Sequence, residues 1–151
     1  FLPIDVVEHH DIIVNFRKDS FIVSFGDAHN FNQADYLNWV KEKKKEFPKG
    51  FVLVEENGKF IGQLELSIRE YEGQKIGYVH LNYLIPKMRG KGKGAKLHEY
   101  AKQFFVKNNV KEYHLRVSPS NSPAIRFYKK IGMEEMSPEV EGRVIRMRGY
   151  L

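Results

Sequence analysis

Cysteine is missing from the 151 residues, and that absence removes several chemistries at once. Disulfide frameworks, thiolate zinc sites and a cysteine nucleophile are all excluded. The lack suits a reducing compartment, and a cytoplasmic setting is the expectation. Tryptophan occurs once, at Trp39. No apolar run approaches the length of a membrane span, so no membrane partner is expected. The opening FLPIDVVEHHD lacks the basic start and long apolar stretch of a signal peptide. Beginning at Phe1 rather than Met suits a processed or trimmed chain. His9, His10 and Asp11 stand together without a third partner at useful spacing, so no metal site is expected. Repeats, low-complexity tracts and linkers are also lacking, and residues 1–151 read as one domain.

What is present is an ordinary globular balance, 42% hydrophobic and 29% charged, in a chain large enough to bury a core unaided. The net charge of +6 is unevenly spread. Between Pro86 and Lys111 stand Lys87, Arg89, Lys91, Lys93, Lys96, Lys102, Lys107 and Lys111 against Glu99 alone, a local charge of +7. The remainder carries −1. A field so localised implies an anionic partner.

The pattern of elements alternates strands and helices. Ile12–Phe16 and Phe21–Phe25 are β-rich runs around RKDS and predict a hairpin. GDAHNFN reads as a loop, and Asn32 as the cap of a helix from about Gln33 to Glu46. Tyr36 and Trp39 in that helix read as core or as wall of an acceptor pocket. Asn57-Gly58 between β-rich runs predicts a tight hairpin, because both residues tolerate positive φ. The following strand alternates Leu64, Leu66 and Ile68 with Gln63, Glu65 and Ser67. A third strand ends before Pro86, and strict alternation puts Tyr78, His80, Asn82 and Leu84 on one of its faces. A helix from about Gly92 to Lys107 carries the stripe Leu97, Tyr100, Ala101, Phe104, Phe105. Tyr113–Val117 is a short strand, and Pro123 opens a helix that Gly132 ends. Two last β-like runs flank Gly142. The whole is an α/β (α+β) domain, with helices around a single, mainly antiparallel sheet.

The stretch PKMRGKGKGAKLHEYAKQFF places glycines and lysines directly before a helix. A helix N-terminus has free N–H groups and partial positive charge, and glycine lets an anion approach them. Two familiar phosphate loops fail here. Both the Walker A loop and the dinucleotide fingerprint need glycine where Ala95 stands. Arg89, Gly92 and Gly94 fit [RQ]-x-x-G-x-[GA]. Asn121, Ala124, Tyr128, Gly132 and Met133 fit a second spaced pattern, and Leu84-Ile85-Pro86 resembles the strand end that precedes such a loop. Together these residues resemble the GNAT N-acetyltransferase superfamily. The resemblance is firm over 77–133, the implied acetyl-CoA core. Residues 1–50 match no named pattern, as in the family's variable acceptor-side region.

The resemblance implies acetyl-CoA-dependent transfer to a primary amine of a small molecule, amino acid or protein, without an acyl-enzyme and without metal. It implies that Gly77–Ile85 and Tyr113–Val117 splay to admit the pantetheine arm, and that splayed strands mark the fold. Arg89, Gly90, Lys91, Gly92, Lys93, Gly94 and Ala95 would hold the pyrophosphate. Leu84 or Ile85 would offer an N–H to the thioester carbonyl, and Asn121 and Ala124 would line the cofactor. Tyr128 would protonate the leaving thiolate. The base is less defined, because the strand before the loop lacks the usual carboxylate. His80 and then Glu65 are the candidates. Lys129 and Lys130 are candidates for the ribose phosphate. Similar proteins are commonly dimers, so a homodimer is admitted. Two rival readings stand beside this one: a nucleic-acid-binding module using the basic segment, and a non-catalytic acetyl-CoA sensor of the same fold. Nucleic acid is the weaker partner, since the helix aromatics lie on the buried stripe.

Overall fold

The computed structural model describes residues 1–25 and 31–151, the side chains of residues 24 and 25 excepted. The loop expected over residues 26–30 lies outside that set. Its elements run β1 (Leu2–Pro3), α1 (His10–Phe25), α2 (Gln33–Glu46), β2 (Phe51–Glu56), β3 (Lys59–Tyr71), β4 (Gln74–Leu84), α3 (Lys93–Lys107), β5 (Glu112–Val117), α4 (Ser122–Lys130), β6 (Glu134–Glu139) and β7 (Val144–Tyr150). A 3-10 turn, Pro86–Met88, joins β4 to the glycine loop. The strands form one seven-stranded sheet in the order β1-β2-β3-β4-β5-β7-β6. Its described pairs are antiparallel except β4 with β5.

The predicted hairpin at Ile12–Phe25 is instead the helix α1. Its β-branched residues favour a strand locally, but Ile13, Val14 and Phe16 are buried against the sheet together with Tyr36 and Val40 of α2. Burial of that stripe outweighs the weak intrinsic preference. Asp5 prepares the entry, its carboxylate accepting from the Val7 and Glu8 N–H groups. His9 accepts from the Asp5 N–H, so it serves the turn.

The local signals elsewhere gave the right elements. Asn32 Oδ1 accepts from the Asp35 N–H and caps α2. Asn57 and Gly58 take φ of 52° and 77°, as the tight turn between β2 and β3 requires. The alternation in β3 does not produce a wet face, however. Gln63, Glu65 and Ser67 are as buried as Leu64 and Leu66, because helices cover both sides of this strand. One core, with Leu66, Leu97, Phe105 and Leu115, lies under α3 and α4. The other, with Ile13, Val40, Phe51 and Leu81, lies under α1 and α2.

Where β4 meets β5, Gly77 lets the Phe105 ring lie directly on the strand. A Cβ at Gly77 would stand well inside van der Waals contact of three Phe105 ring atoms. That ring is fully buried and stacks on Tyr113. Gly77→Ala is therefore expected to destabilise the fold by about 1–3 kcal/mol through overpacking. Denaturant titration checks it, and unchanged stability would show that the ring can yield.

Candidate functional site

The site begins at an irregularity in β4. Glu65 pairs with Leu81 and Leu66 pairs with Val79, so His80 has no partner in β3. This bulge changes the phase of the strand. Tyr78 and His80 face the α2 side, where His80 packs edge-on to Trp39. Past the bulge Leu81 and Tyr83 face that side instead. Leu84 packs on the opposite core, and the Asn82 side chain lies close enough to the Tyr128 hydroxyl there to act on its pKa. The expectation that Tyr78, His80, Asn82 and Leu84 share one face is thus corrected, because strict alternation cannot include a bulge.

The bulge is held from α1. Arg17 Nη1 donates to Glu65 Oε1 at 3.2 Å and to the His80 carbonyl at 3.2 Å. The Tyr36 hydroxyl donates to Glu65 Oε2 at 2.5 Å, and Gln63 Nε2 donates to the same oxygen at 2.9 Å. Glu65 is therefore fully buried with both oxygens engaged. Burial pushes its pKa up, against the pull of Arg17, Tyr36 and Gln63. His80 is neutral at physiological pH. Burial pulls its pKa down to about 3, aided by the nearby charges of Arg69, Arg17 and Lys43. Its ring shares a 2.7 Å hydrogen bond with Ser67 Oγ. It is a much weaker base than a free histidine near 6.5.

Beyond the bulge the sheet opens. β4 and β5 pair only from Gly77 to Val79 against Tyr113 to Leu115. The Ile85 N–H donates to the Ile61 carbonyl at 2.8 Å. Antiparallel alternation then turns the Leu84 N–H away from β3, toward the gap. Of the two expected amide donors, Ile85 is taken and Leu84 faces the opening.

The glycine loop follows. Gly90 and Gly92 have φ of 74° and 78°, and Gly92 is the N-cap of α3 with no side chain to cap it. The first N–H groups of α3 are left for an anion. A Cβ at Gly94 would reach ordinary contact with the Phe127 ring. Arg89 is committed within the protein. Its backbone N–H donates to the Pro86 carbonyl, its Nε to the Leu84 carbonyl at 2.9 Å, and its Nη2 to Asp19 at 3.4 Å. Lys93 pairs with Glu56 at 2.7 Å, and Lys129 with Glu135 at 2.7 Å. Lys91 and Ala95 are exposed. The Asn121 side chain accepts from the Ala124 N–H and caps α4.

Tyr128 of α4 packs on the core that α3 covers, and burial pushes its pKa up to about 12. The hydroxyl thus stays protonated at neutral pH. The nearby Asn82 side chain opposes the rise. Sequence reasoning missed Arg17, Asn82 and Asp19. A polar Asn in a largely apolar strand was a usable signal for Asn82. Nothing local marked Arg17, whose partner Glu65 is 48 residues away.

A splayed β4–β5 pair, a glycine loop and an uncapped helix after it define an acetyltransferase-type α/β fold. A family model described as the acetyltransferase (GNAT) family matches residues 11–133, and the chain belongs to that family. It is 31% identical over 97 residues to a protein of Archaeoglobus fulgidus named as an uncharacterized N-acetyltransferase, covering 62% of this chain and 64% of the relative. The chain spans less than two thirds of the length of the curated relatives it matches. Among solved structures, the ribosomal-protein-alanine N-acetyltransferase of Brucella melitensis superimposes with a TM-score of 0.75 at 17% identity, over 95% of each chain. Arabidopsis thaliana Naa50 in complex with the bisubstrate analogue CoA-Ac-MVNAL gives 0.63 at 22%, over 76% of this chain and 81% of that one. These two likenesses concern the fold.

The buried histidines set an acid limit on stability. His80 and His98 are pulled to about 3 and about 4, and His114 is also lowered, burial being the first cause in each. A lowered folded pKa gives stability that is present above about 6.5 and lost as pH falls toward the folded value. The lowered carboxyls of Glu112 and Glu139 act in the same direction below about 4.5. Glu65, raised, acts in the opposite direction. The melting temperature should therefore be flat between about pH 7 and 9, below the range where the raised tyrosines titrate, and fall between pH 6.5 and 4, with a shallower slope for His80→Gln. An equal slope in that variant would remove His80 from the account.

Proposed function

We propose that the chain is an acetyl-CoA-dependent N-acetyltransferase, passing an acetyl group directly to a primary amine of a small molecule, amino acid or protein. The observation that carries this reading is the early end of β4–β5 pairing, with the Leu84 N–H and the uncapped start of α3 along the same stretch of chain. The relatives' names and the coenzyme-linked ligand of Naa50 support it. Bound acetyl-CoA supplies the acetyl group as an activated thioester.

In this reading the amides from about Gly90 to Ala95 hold the pyrophosphate, and the positive φ of Gly90 and Gly92 shapes the wrap. Arg89 contributes by fixing the loop to Leu84 and to α1. The Leu84 N–H stabilises negative charge on the carbonyl oxygen. Tyr128 donates its proton to the departing sulfur, a modest task because a thiol near 8.5 already leaves well. Glu65 acts behind the wall, through Arg17 and Tyr36. His80 lines the acceptor side as a neutral ring.

The sensor reading keeps one specific support: Glu65 is fully engaged and His80 is a weak base. The nucleic-acid reading keeps the basic field and loses its aromatic support, because Phe104 and Phe105 of α3 are buried.

Acetyl-CoA should raise the melting temperature, and oligonucleotides of matched charge should leave it unchanged. Stabilisation by oligonucleotides alone would falsify the enzyme reading. Tyr128→Phe should keep acetyl-CoA affinity and lower kcat by about 10²-fold. Wild-type kcat in that variant removes the acid role. Gly92→Val strains the left-handed cap by about 1–2 kcal/mol. It should weaken acetyl-CoA binding, read by calorimetry, and an unaltered Kd would dissociate the loop from the coenzyme.

A further inference from the structure

A cavity of about 280 Å³ lies between α1, α2 and the bulge of β4, lined by Arg17, Phe21, Phe31, Tyr36, Trp39 and His80, with Asn32 and Asp35 also in the lining. Its rings form a continuous wall. Phe21 meets Phe31 at 5.5 Å, Phe31 meets Tyr36 at 5.6 Å, Tyr36 meets Trp39 at 6.4 Å, and Trp39 meets His80 at 4.9 Å. Asn32 and Asp35 are exposed and lie at the rim, whereas Tyr36 is buried and Arg17 and His80 are half-buried toward the sheet. The inner end is therefore the end nearest the bulge of β4.

An aromatic wall often attracts cations. Here that attraction is already used. The Arg17 guanidinium lies 5.5 Å from the Phe21 ring centre and 5.7 Å from that of Tyr36, and Lys18 stands 6.0 Å from that of Phe31. At the inner end His80 feels Arg69, Arg17 and Lys43, all positive. Among the described residues the lining holds one carboxylate, Asp35 at the rim. Glu65 lies behind Arg17 and is spent on it. A second positive charge brought to the inner end meets repulsion and, among the described residues, no acid but Asp35 at the far rim, whereas an apolar ring meets five rings at packing distance.

We infer that this cavity is the acceptor site and takes an amine bearing one aromatic or bulky apolar substituent and no second cationic group. Polyamines and lysine-rich tails are excluded by the same chemistry. The inference rests on the acetyltransferase reading above. Its ligand has two sources, a free aromatic amino-acid amide or the amino terminus of a polypeptide that starts with such a residue.

Trp39 is the chain's one tryptophan and lies in the cavity wall, so its emission reports occupancy without turnover. The test titrates phenylalaninamide, a Phe-initiated peptide, spermidine and an N-blocked lysine peptide into the protein saturated with CoA, following Trp39 emission. Thiol release from acetyl-CoA is followed in parallel. The first two should perturb the emission and be turned over with kcat/KM at least tenfold above the last two. Preference between the first two tells the free amine from the amino terminus. Phe31→Ala should raise acceptor KM about tenfold while leaving the acetyl-CoA Kd unchanged, and Phe31→Leu should recover part of the loss. Preference for spermidine or the lysine peptide overturns the inference, as does silent Trp39 emission with all four while acetyl-CoA still binds. Failure to bind acetyl-CoA at all is a different result, which sinks the parent reading and this one with it.

Discussion

β4 carries one residue more than β3 can pair, and His80 is that residue. An unpaired residue in the middle of a sheet leaves a backbone carbonyl without its ladder partner, a cost of about 1–3 kcal/mol if nothing replaces it. Arg17 replaces it. The same Nη1 that bonds the His80 carbonyl also bonds Glu65 on β3, so one guanidinium closes the bulge and ties α1 to two strands. The charge that does this is expensive to bury, and Glu65 is there to offset it. Tyr36 and Gln63 then complete the carboxylate. Gln63 turns its amide nitrogen to Tyr36 and Glu65, and its Oε1 remains without a partner among the described residues. An orphaned oxygen is tolerated because the carboxylate beside it is satisfied.

From the bulge the two faces of the strand acquire different tasks. After His80, even-numbered residues turn toward α3 and α4, and odd-numbered ones toward α1 and α2. Asn82 thereby reaches Tyr128, and Tyr83 reaches Asp19 of α1 at 2.5 Å. Asp19 also meets Arg89, whose ring partner is again Tyr83. The glycine loop is thus fastened to α1, and α1 is fastened to the bulge. The loop side and the cavity side of β4 are joined by one chain of contacts, with Ile85 packed into both cores.

What could be seen in the sequence was what local chemistry decides. Asn32 caps because its side chain reaches an N–H three residues on, and Asn57-Gly58 turns because both tolerate positive φ. The glycine loop was legible for the same reason. The helix α1 was not, since Ile12–Phe16 looks like a strand until α2 and the sheet supply a surface for its stripe. The bulge was not, because alternation in β4 continues unbroken on paper and only pairing with β3 shows the extra residue. The cavity beside the bulge was half legible. Tyr36, Trp39, His80 and Glu65 were singled out, but Arg17, which organises them, sat inside a misread element.

In the proposed reaction, the weak basicity of His80 bears on the nucleophile. An ammonium must lose its proton before attack, and the free-energy cost at pH 7 follows from its pKa. For an α-amine near 7.7–8.0 that cost is about 1 kcal/mol, and for a lysine near 10.4 it is about 5 kcal/mol. His80 at about 3 cannot repay the larger figure, because protonating it at neutral pH costs about as much again. The burial that holds His80 neutral, and the positive charges that add to it, would act on an amine bound beside it in the same sense, favouring its uncharged form. A site that lowers the amine's own pKa needs no carboxylate on the strand before the loop, and the missing carboxylate then reads as part of the acceptor selection. On the proposed acceptor site, the residues that close the bulge would also select which amines arrive ready to react.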